Sequence, residues 1–536
     1  MDKLYNLHGN IFLNLTPIGK TLNEIIVPSE ITILNSSAFK NCSNLTKIVL
    51  PENLEKIGDY VFKNCSGLTS LIIPKSVKSI GKLAFDGCDN LNEIFYEGTL
   101  SDWLKLNLKK PTNSNKFVKH IYIKYENGEF LEPIDITIPD DISELKPWAF
   151  YGFNSLVKVT ISKSVNFSYF SVFANCKNLK NVIFEEGSEL VSTGESMFEN
   201  CQSLRSVTFE KNAKIQQISA YTFKNCKKLI SVTFSEGSQV KIIGYSAFNG
   251  CENLEVDFLS HIEEIHCWAF DYCLGIKNLF IPATLSNLSA GAFCNCYNLE
   301  KVTFDENCPI TKIGDLAFKN CTKLKTITFP KNLVEIYRSA FEYCSSLEDI
   351  NLPKTLEIID KCAFAGCTSL EKVEIPKNVL IIYSGAFSGC HGIKNVSFEA
   401  DSKLTVIEDY VFSGTKISSI VIPKNVIILG YFYEGELSNA GTFENCKSLK
   451  RVEFENPHGW YQLDDNLFVH VYKSKPISED EIHNSELMTI YVTERCLIKR
   501  GVWYPAMYGK EDPEYHDNTD DIDLTDSRVQ EFLAHY

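Results

Sequence analysis

The sequence predicts a strand-rich solenoid of about seventeen coils stacked along one axis and sharing a continuous core. Three observations carry that expectation. A phrase of the form Ala-Phe-x-x-Cys-x-x-Leu recurs from Ala38-Phe39-Lys40-Asn41-Cys42-Ser43-Asn44-Leu45 to Thr442-Phe443-Glu444-Asn445-Cys446-Lys447-Ser448-Leu449. Its phenylalanine stands at 39, 62, 85, 150, 173, 198, 223, 248, 270, 293, 318, 341, 364, 387, 412 and 443, mostly 23 or 25 residues apart. Each copy is flanked by two further pieces: Leu-x-x-Ile-x-Leu-Pro downstream, as in Leu45 to Pro51 and Leu347 to Pro353, and Ile-Gly upstream, as in Ile57-Gly58 and Ile313-Gly314. A unit of that length cannot bury its apolar side alone, so neighbouring units must stack.

Leu-x-x-Leu-x-Leu is the strand pattern of leucine-rich repeats, whose alternate side chains face inward. Combined with Ala-Phe-x-x-Cys and Ile-Pro, it closely resembles the BspA-like leucine-rich repeat family over residues 16 to 455. The resemblance implies a leucine-rich-repeat solenoid, wound right-handedly, with one parallel sheet on the concave face and short helical turns elsewhere. It also implies a binding or adhesive surface rather than a catalyst. The expected organisation is a cap over 1–15, the solenoid over 16–455 with an insert at 96–132, a capping segment over 456–510 and an acidic tail with a short helix over 511–536.

The chain has 536 residues, 44% of them hydrophobic, a net charge of −15 and a pI near 5.3. Length alone would imply about three or four domains. A solenoid, however, grows by adding coils rather than cores, so the unbroken repeat implies one. The acidic balance disfavours nucleic acid, which rewards basic stripes, and docking on an anionic membrane. No stretch reaches the ~18 apolar residues of a membrane span. Met1 to Asn10 lacks a basic start followed by an apolar run.

Nineteen cysteines would form a disulfide framework in a small secreted protein. Here fourteen of them stand three residues after a repeat phenylalanine, with Phe153 and Thr415 in that place in two coils. Equivalent thiols on coils ~4.8 Å apart point the same way, farther apart than the ~3.8 Å between Cβ atoms of a relaxed disulfide. They are expected as a column of small buried hydrophobes with weak S–H donors. So many thiols suit a reducing compartment. A cytoplasmic address is expected, with export to the cell surface as the alternative.

Along the chain, residues 1–15 read as an irregular cap carrying Ile11, Phe12 and Leu13, and Leu22 to Pro28 as a first strand. Between Phe85 and Phe150 the interval is 65 residues. There Tyr96-Glu97-Gly98-Thr99 leads into a short helix over Ser101 to Leu108, capped by Thr99 or Ser101. His120 to Tyr125 and Glu129 to Leu131 alternate as strands, with Asn127-Gly128 as a two-residue turn between them. The resemblance implies that this insert, with its Trp-bearing helix, is structural. From Phe150 to Phe248 most coils have 25 residues and carry segments such as Phe184-Glu185-Glu186-Gly187-Ser188 where shorter coils have Ile-Pro. A second insertion is expected near Tyr431 to Ala440. Leu467 to Tyr472 and Leu487 to Val492 read as strands covering the last sheet edge. Residues 511–526 are acidic, and Thr525 caps a last helix with Val529, Phe532 and Leu533.

Catalytic and metal motifs find little support. His261-Ile262-Glu263-Glu264-Ile265-His266 is not His-Glu-x-x-His, because Ile265 is the usual isoleucine before Ala-Phe and His266 stands where glycine usually stands. Cys267, Cys273, Cys294 and Cys296 cluster locally, but Cys273 and Cys296 belong to the inward column, so converging zinc ligands are not expected. No Gly-Lys-Ser/Thr phosphate loop, Gly-x-Ser-x-Gly elbow or Gly-x-Gly-x-x-Gly occurs. The resulting reading is a non-catalytic protein-interaction scaffold: a monomer with a protein partner, without cofactor or metal, and with a surface adhesin as the alternative. A carbohydrate-binding face calls for rings facing out of the sheet. At the outward strand position only Phe95 and Phe280 supply them.

In Leu-x-x-Leu-x-Leu the residue between the last two apolar positions faces away from the core. Coil by coil it is Ile26, Val49, Ile72 and Phe95, then Thr160, Ile183, Thr208 and Thr233. Farther on it is Phe280, Thr303, Thr328, Asn351, Glu374 and Ser397. Four apolar residues on consecutive strands predict a patch that requires cover. The first expectation is that the insert beginning beside Phe95 folds back over it; the other is that a partner covers it. Glu185, Glu210, Asp305 and Glu399, where longer coils leave the strand, form a second candidate surface.

Overall fold

The computed structural model describes residues 4–455 except 18, 111–119, 126, 238 and 431–440, and beyond them two short strands, Gln462–Leu463 and Met488–Tyr491. It is a leucine-rich-repeat solenoid of about 18 turns. Two ladders of parallel strands run along it. The first comes from the Leu-x-x-Ile-x-Leu segment and stacks in strict register: Val159, Val182, Val207 and Val232 face inward on four neighbouring strands. Successive strand side chains face opposite sides, so inward residues alternate with outward ones along each strand.

The second ladder goes beyond the one parallel sheet expected. It is built just before the Ile-Gly step, and each coil contributes only two residues, such as Lys56–Ile57 or Lys312–Ile313. Eleven of these strands pair without a break from Gln217–Ile218 to Gln462–Leu463. The glycine that follows has a steric origin. A Cβ on Gly58 would come within 2.8 Å, and one on Gly314 within 2.7 Å, of backbone oxygen in the preceding coil.

The Ala-Phe phrase is a run of tight turns whose amides reach the next coil. Ser37, Phe39 and Asn41 donate to the carbonyls of Asp59, Val61 and Lys63 at 2.8, 2.9 and 2.8 Å. That pattern needs a left-handed residue two before and two after each phenylalanine, as at Ser37 and Asn41 (both φ 64°) or Leu316 and Asn320 (φ 60° and 62°). The second of these positions is Asn or Gly in nearly every coil, Tyr272 and Tyr343 being the exceptions. These two residue types adopt that backbone at least cost. Their recurrence was a legible signal that the sequence reading left unused.

Two columns fill the core. The repeat phenylalanines stack nearly parallel, from 5.1 Å between Phe270 and Phe293 to 6.0 Å between Phe387 and Phe412. Beside them the column thiols after Cys42 donate to the carbonyl of the phenylalanine one coil back, as Cys65 to Phe39 at 3.0 Å and Cys321 to Phe293 at 3.3 Å. In the coil where Thr415 replaces cysteine, its hydroxyl donates to Phe412 O at 2.8 Å. The described cysteines are all free. Burial raises the pKa of column thiols such as Cys226, Cys273 and Cys321, and so suppresses the reactive thiolate there. Native protein is therefore expected to expose few thiols to a bulky alkylating reagent, and all nineteen after denaturation without reductant. A denatured count well short of nineteen would mean disulfides.

The described part of the cap is not irregular. Tyr5–His8 and Ile11–Leu15 form a hairpin turning at Gly9. Ile11 and Phe12 pair with Ile33 and Leu34, so the hairpin closes the second ladder, and the Phe12 ring heads the aromatic column 4.8 Å from Phe39. At the other end Met488–Tyr491 lies antiparallel on Arg451–Phe454 and covers the last strand of the first ladder, as expected of Leu487 to Val492. The segments expected at Leu467 to Tyr472, at Tyr431 to Ala440 and over the tail helix lie outside the described residues.

In the insert, the helix Leu100–Leu104 starts at an N-cap Thr99, whose amide donates to Asp102 Oδ2 at 2.9 Å in a capping box. It ends sooner than the expected Leu108 because Asn107–Leu108 joins the second ladder, paired with Ser79–Ile80. Its Trp103 is buried against Tyr96 and Phe153, and its indole N–H donates to Ala149 O at 2.7 Å. Phe153 occupies the cysteine position in the first coil after the insert, where its ring packs edge-on to Trp103 and Phe150.

Candidate binding surface

The outward row of the first ladder begins with large aliphatic side chains in solvent: Ile26 is 74% exposed, Val49 44% and Ile72 54%. Ile26 lies opposite Val49, and Ile72 opposite Phe95, because the strands pair without a register shift. Among the described residues the insert does not fold back over this row, contrary to the first expectation. Its strand His120–Lys124 instead adds to the edge of Glu93–Tyr96 and extends the sheet. Lying flat across the face would leave both that strand and the open edge with unpaired backbone groups. Tyr122 therefore stacks on Phe95 at 4.7 Å, with Phe130 edge-on at 5.5 Å. Phe95 is sheltered, while Ile26, Val49 and Ile72 are left in water.

Phe280 is also exposed but stands apart from this row, beside Thr303 and separated from Ile72 by many coils. The acidic positions have local work. Glu185 accepts from the Lys163 amide at 3.2 Å and Glu399 from the Lys377 amide at 3.1 Å, so each braces the turn of the coil before it. Asp305 accepts from Asn307 N at 2.8 Å, and Glu210 is half-buried where its coil leaves the strand. Exposed rings do occur away from the strands. Tyr272 and Tyr343 occupy the left-handed position after the phenylalanine, which turns a side chain out to solvent.

Among the described residues no group of histidine, cysteine and carboxylate side chains is placed to hold a metal. His266 pairs with Glu264 at 3.3 Å, and burial pushes the Cys294 thiol up to about 12. No helix among the described residues is long and apolar enough to cross a membrane.

Solved structures similar to this chain include a leucine-rich repeat protein from Bacteroides ovatus, 23% identical over 76% of this chain and 80% of that one, with a TM-score of 0.39. A leucine-rich cell surface protein from Faecalibacterium prausnitzii is 21% identical over 62% of this chain and 92% of that one, TM-score 0.36. A leucine-rich repeat protein from Eubacterium ventriosum is 17% identical over 71% and 90%, TM-score 0.40. A comparison with the curated proteins finds no match. The model of the BspA type leucine rich repeat region matches residues 18–117, 131–255, 216–348 and 311–438. Those matches span most of the solenoid, the same stretch in which the phenylalanine and thiol columns stack, and the chain belongs to the BspA-type leucine-rich repeat family.

Proposed function

We propose that the chain is a non-catalytic interaction scaffold that binds a protein partner through the N-terminal part of its first ladder. The supporting observation is the uncovered aliphatic row Ile26, Val49 and Ile72 on neighbouring strands, continued by the sheltered Phe95 and Tyr122 rings. Solvated apolar side chains in one contiguous row mark a contact site more often than scattered ones do. Burying them under a partner would stabilise the complex by roughly 25 cal/mol per Å² of apolar area removed from water. The Glu24–Lys47 ion pair at 3.6 Å, beside Ile26 and Val49, would lie at the polar rim of that contact.

Ile72→Asp tests the assignment. The side chain is in water, so the variant should keep its stability within about 0.5 kcal/mol and lose the partner captured by the parent chain. Unchanged capture of every partner would exclude this face. The free thiol column leads us to place the scaffold in a reducing compartment. Surface protease shaving of the source cells, with the protein intact afterwards, is the expected result.

A further inference from the structure

We propose that the chain also carries a small-molecule site for an acidic saccharide, in the cleft where the insert meets the resumed repeat. The first ladder is interrupted here: Phe130–Leu131 pairs only with the insert strand, and Asp135–Thr137 only with Lys158–Ile161. Beside this break lies an open cleft of about 540 Å³, within the ~300–1,000 Å³ usual for small-ligand sites. It is formed by residues outside the aliphatic row, so it stands or falls independently of the function proposed above.

Ile134, Val157 and Lys180 line the cleft and occupy one repeat position on three successive coils, linked by the Val157 N–H to Ile134 O and the Lys180 N–H to Val157 O bonds, each 2.8 Å. Two aliphatic side chains are thus followed by a cation. The insert contributes His120 and Glu132, joined through Nδ1 and Oε1 at 2.7 Å. Asn154, Ser155 and Asn178 complete the lining. The Asn178 amide is committed to Asn154 O at 2.8 Å. Its carbonyl oxygen, the Ser155 hydroxyl, the second Glu132 oxygen and the Lys180 ammonium have no partner among the described residues.

The charge around the cleft runs against that of the chain. Some lysines elsewhere pair with a carboxylate one coil away, as in Lys214–Glu189 and Lys227–Glu252, while others, such as Lys301 and Lys325, make no ion pair among the described residues. Lys158, Lys177, Lys180 and Arg205 sit on adjoining coils, are all exposed, and make no ion pair among the described residues. Four uncommitted cations in a chain of net charge −15 favour an anionic ligand there. A bare phosphate would meet donors but also the Glu132 carboxylate. Glu132, Ser155 and the Asn178 carbonyl call instead for donated hydroxyls, and Ile134 and Val157 for a C–H face. A sugar ring bearing a carboxylate supplies all three: the anion for Lys180, hydroxyls for the acceptors, and an apolar ring face.

Saturation-transfer NMR and calorimetry on the full chain, with digalacturonic acid as the probe and cellobiose as its neutral counterpart, test the assignment. Digalacturonic acid is expected to bind, and cellobiose at least about tenfold more weakly, since a charge-assisted contact is lost. Lys180→Gln should weaken binding by a similar factor, and Ile134→Trp, which fills the cleft from an exposed position, should abolish it. Lys325→Gln changes the same repeat position on a distant coil and should leave binding unchanged. Equal weakening by Lys325→Gln would show diffuse charge attraction only and overturn the site. So would binding indifferent to both cleft variants, cellobiose binding as tightly, or no binding of either sugar to the parent chain.

Discussion

Phe318→Ala is expected to destabilise the protein by about 3–5 kcal/mol, the range for truncating a fully buried aromatic residue. The ring is stacked between Phe293 at 5.8 Å and Phe341 at 5.4 Å, tilted by 6° and 10°, so its removal opens the column on both sides. The space has no simple way to collapse, because the flanking rings are held by backbone bonds, Phe293 N to Ala317 O and Phe341 N to Ala363 O. Contacts in a solenoid reach only neighbouring coils, so the damage should stay partly local. Native-state hydrogen exchange should quicken most in the coils around Phe293, Phe318 and Phe341 and least near the N-terminal hairpin. Uniform loss of protection along the chain would contradict a nearest-neighbour core.

Trp103→Ala should cost a similar amount, about 3–5 kcal/mol, concentrated where the insert joins the repeat. The indole fills the space among Tyr96, Phe153 and the helix start, and its N–H satisfies the Ala149 carbonyl. Removing it leaves both a cavity and a buried acceptor without its donor. Trp103→Phe separates the two effects: it retains most of the packing but cannot donate, and should recover more than half of the loss. Recovery of less than that would make the hydrogen bond the larger contribution. Exchange should accelerate in the coils of Phe85 and Phe150 together, since the helix bridges them.

The repeat was legible because a solenoid writes its packing into the sequence once per coil. The phenylalanine column, the inward valines and the thiol column all follow from residue type at a fixed period, and the structure places them in the core as read. The helix start was legible for the same local reason, but the choice between Thr99 and Ser101 as its cap was settled only by the Thr99–Asp102 capping box in the structure. The second ladder was not legible, because two residues per coil such as Lys312–Ile313 carry no alternation long enough to read as a strand. The hairpin at the N-terminus escaped for a different reason. Phe12 heads the ring column without any Ala-Phe phrase around it, and its place is set by pairing of Ile11 and Phe12 with Ile33 and Leu34.

By itself the sequence determined the coil, its period, the residues that face inward, and the alternate ones that face out. Those are local consequences of side-chain alternation and of a unit too small to bury its own apolar side. Only the tertiary structure decided what lies over the outward row. Both fates of the insert are consistent with the same strand pattern between His120 and Leu131. The open backbone edge of Glu93–Tyr96 takes that strand in parallel pairing, so Phe95 is sheltered and Ile72 is not. The cleft at Lys180 arises in the same way. Its lining comes from insert and repeat together, residues that meet only because the first ladder stops and restarts there.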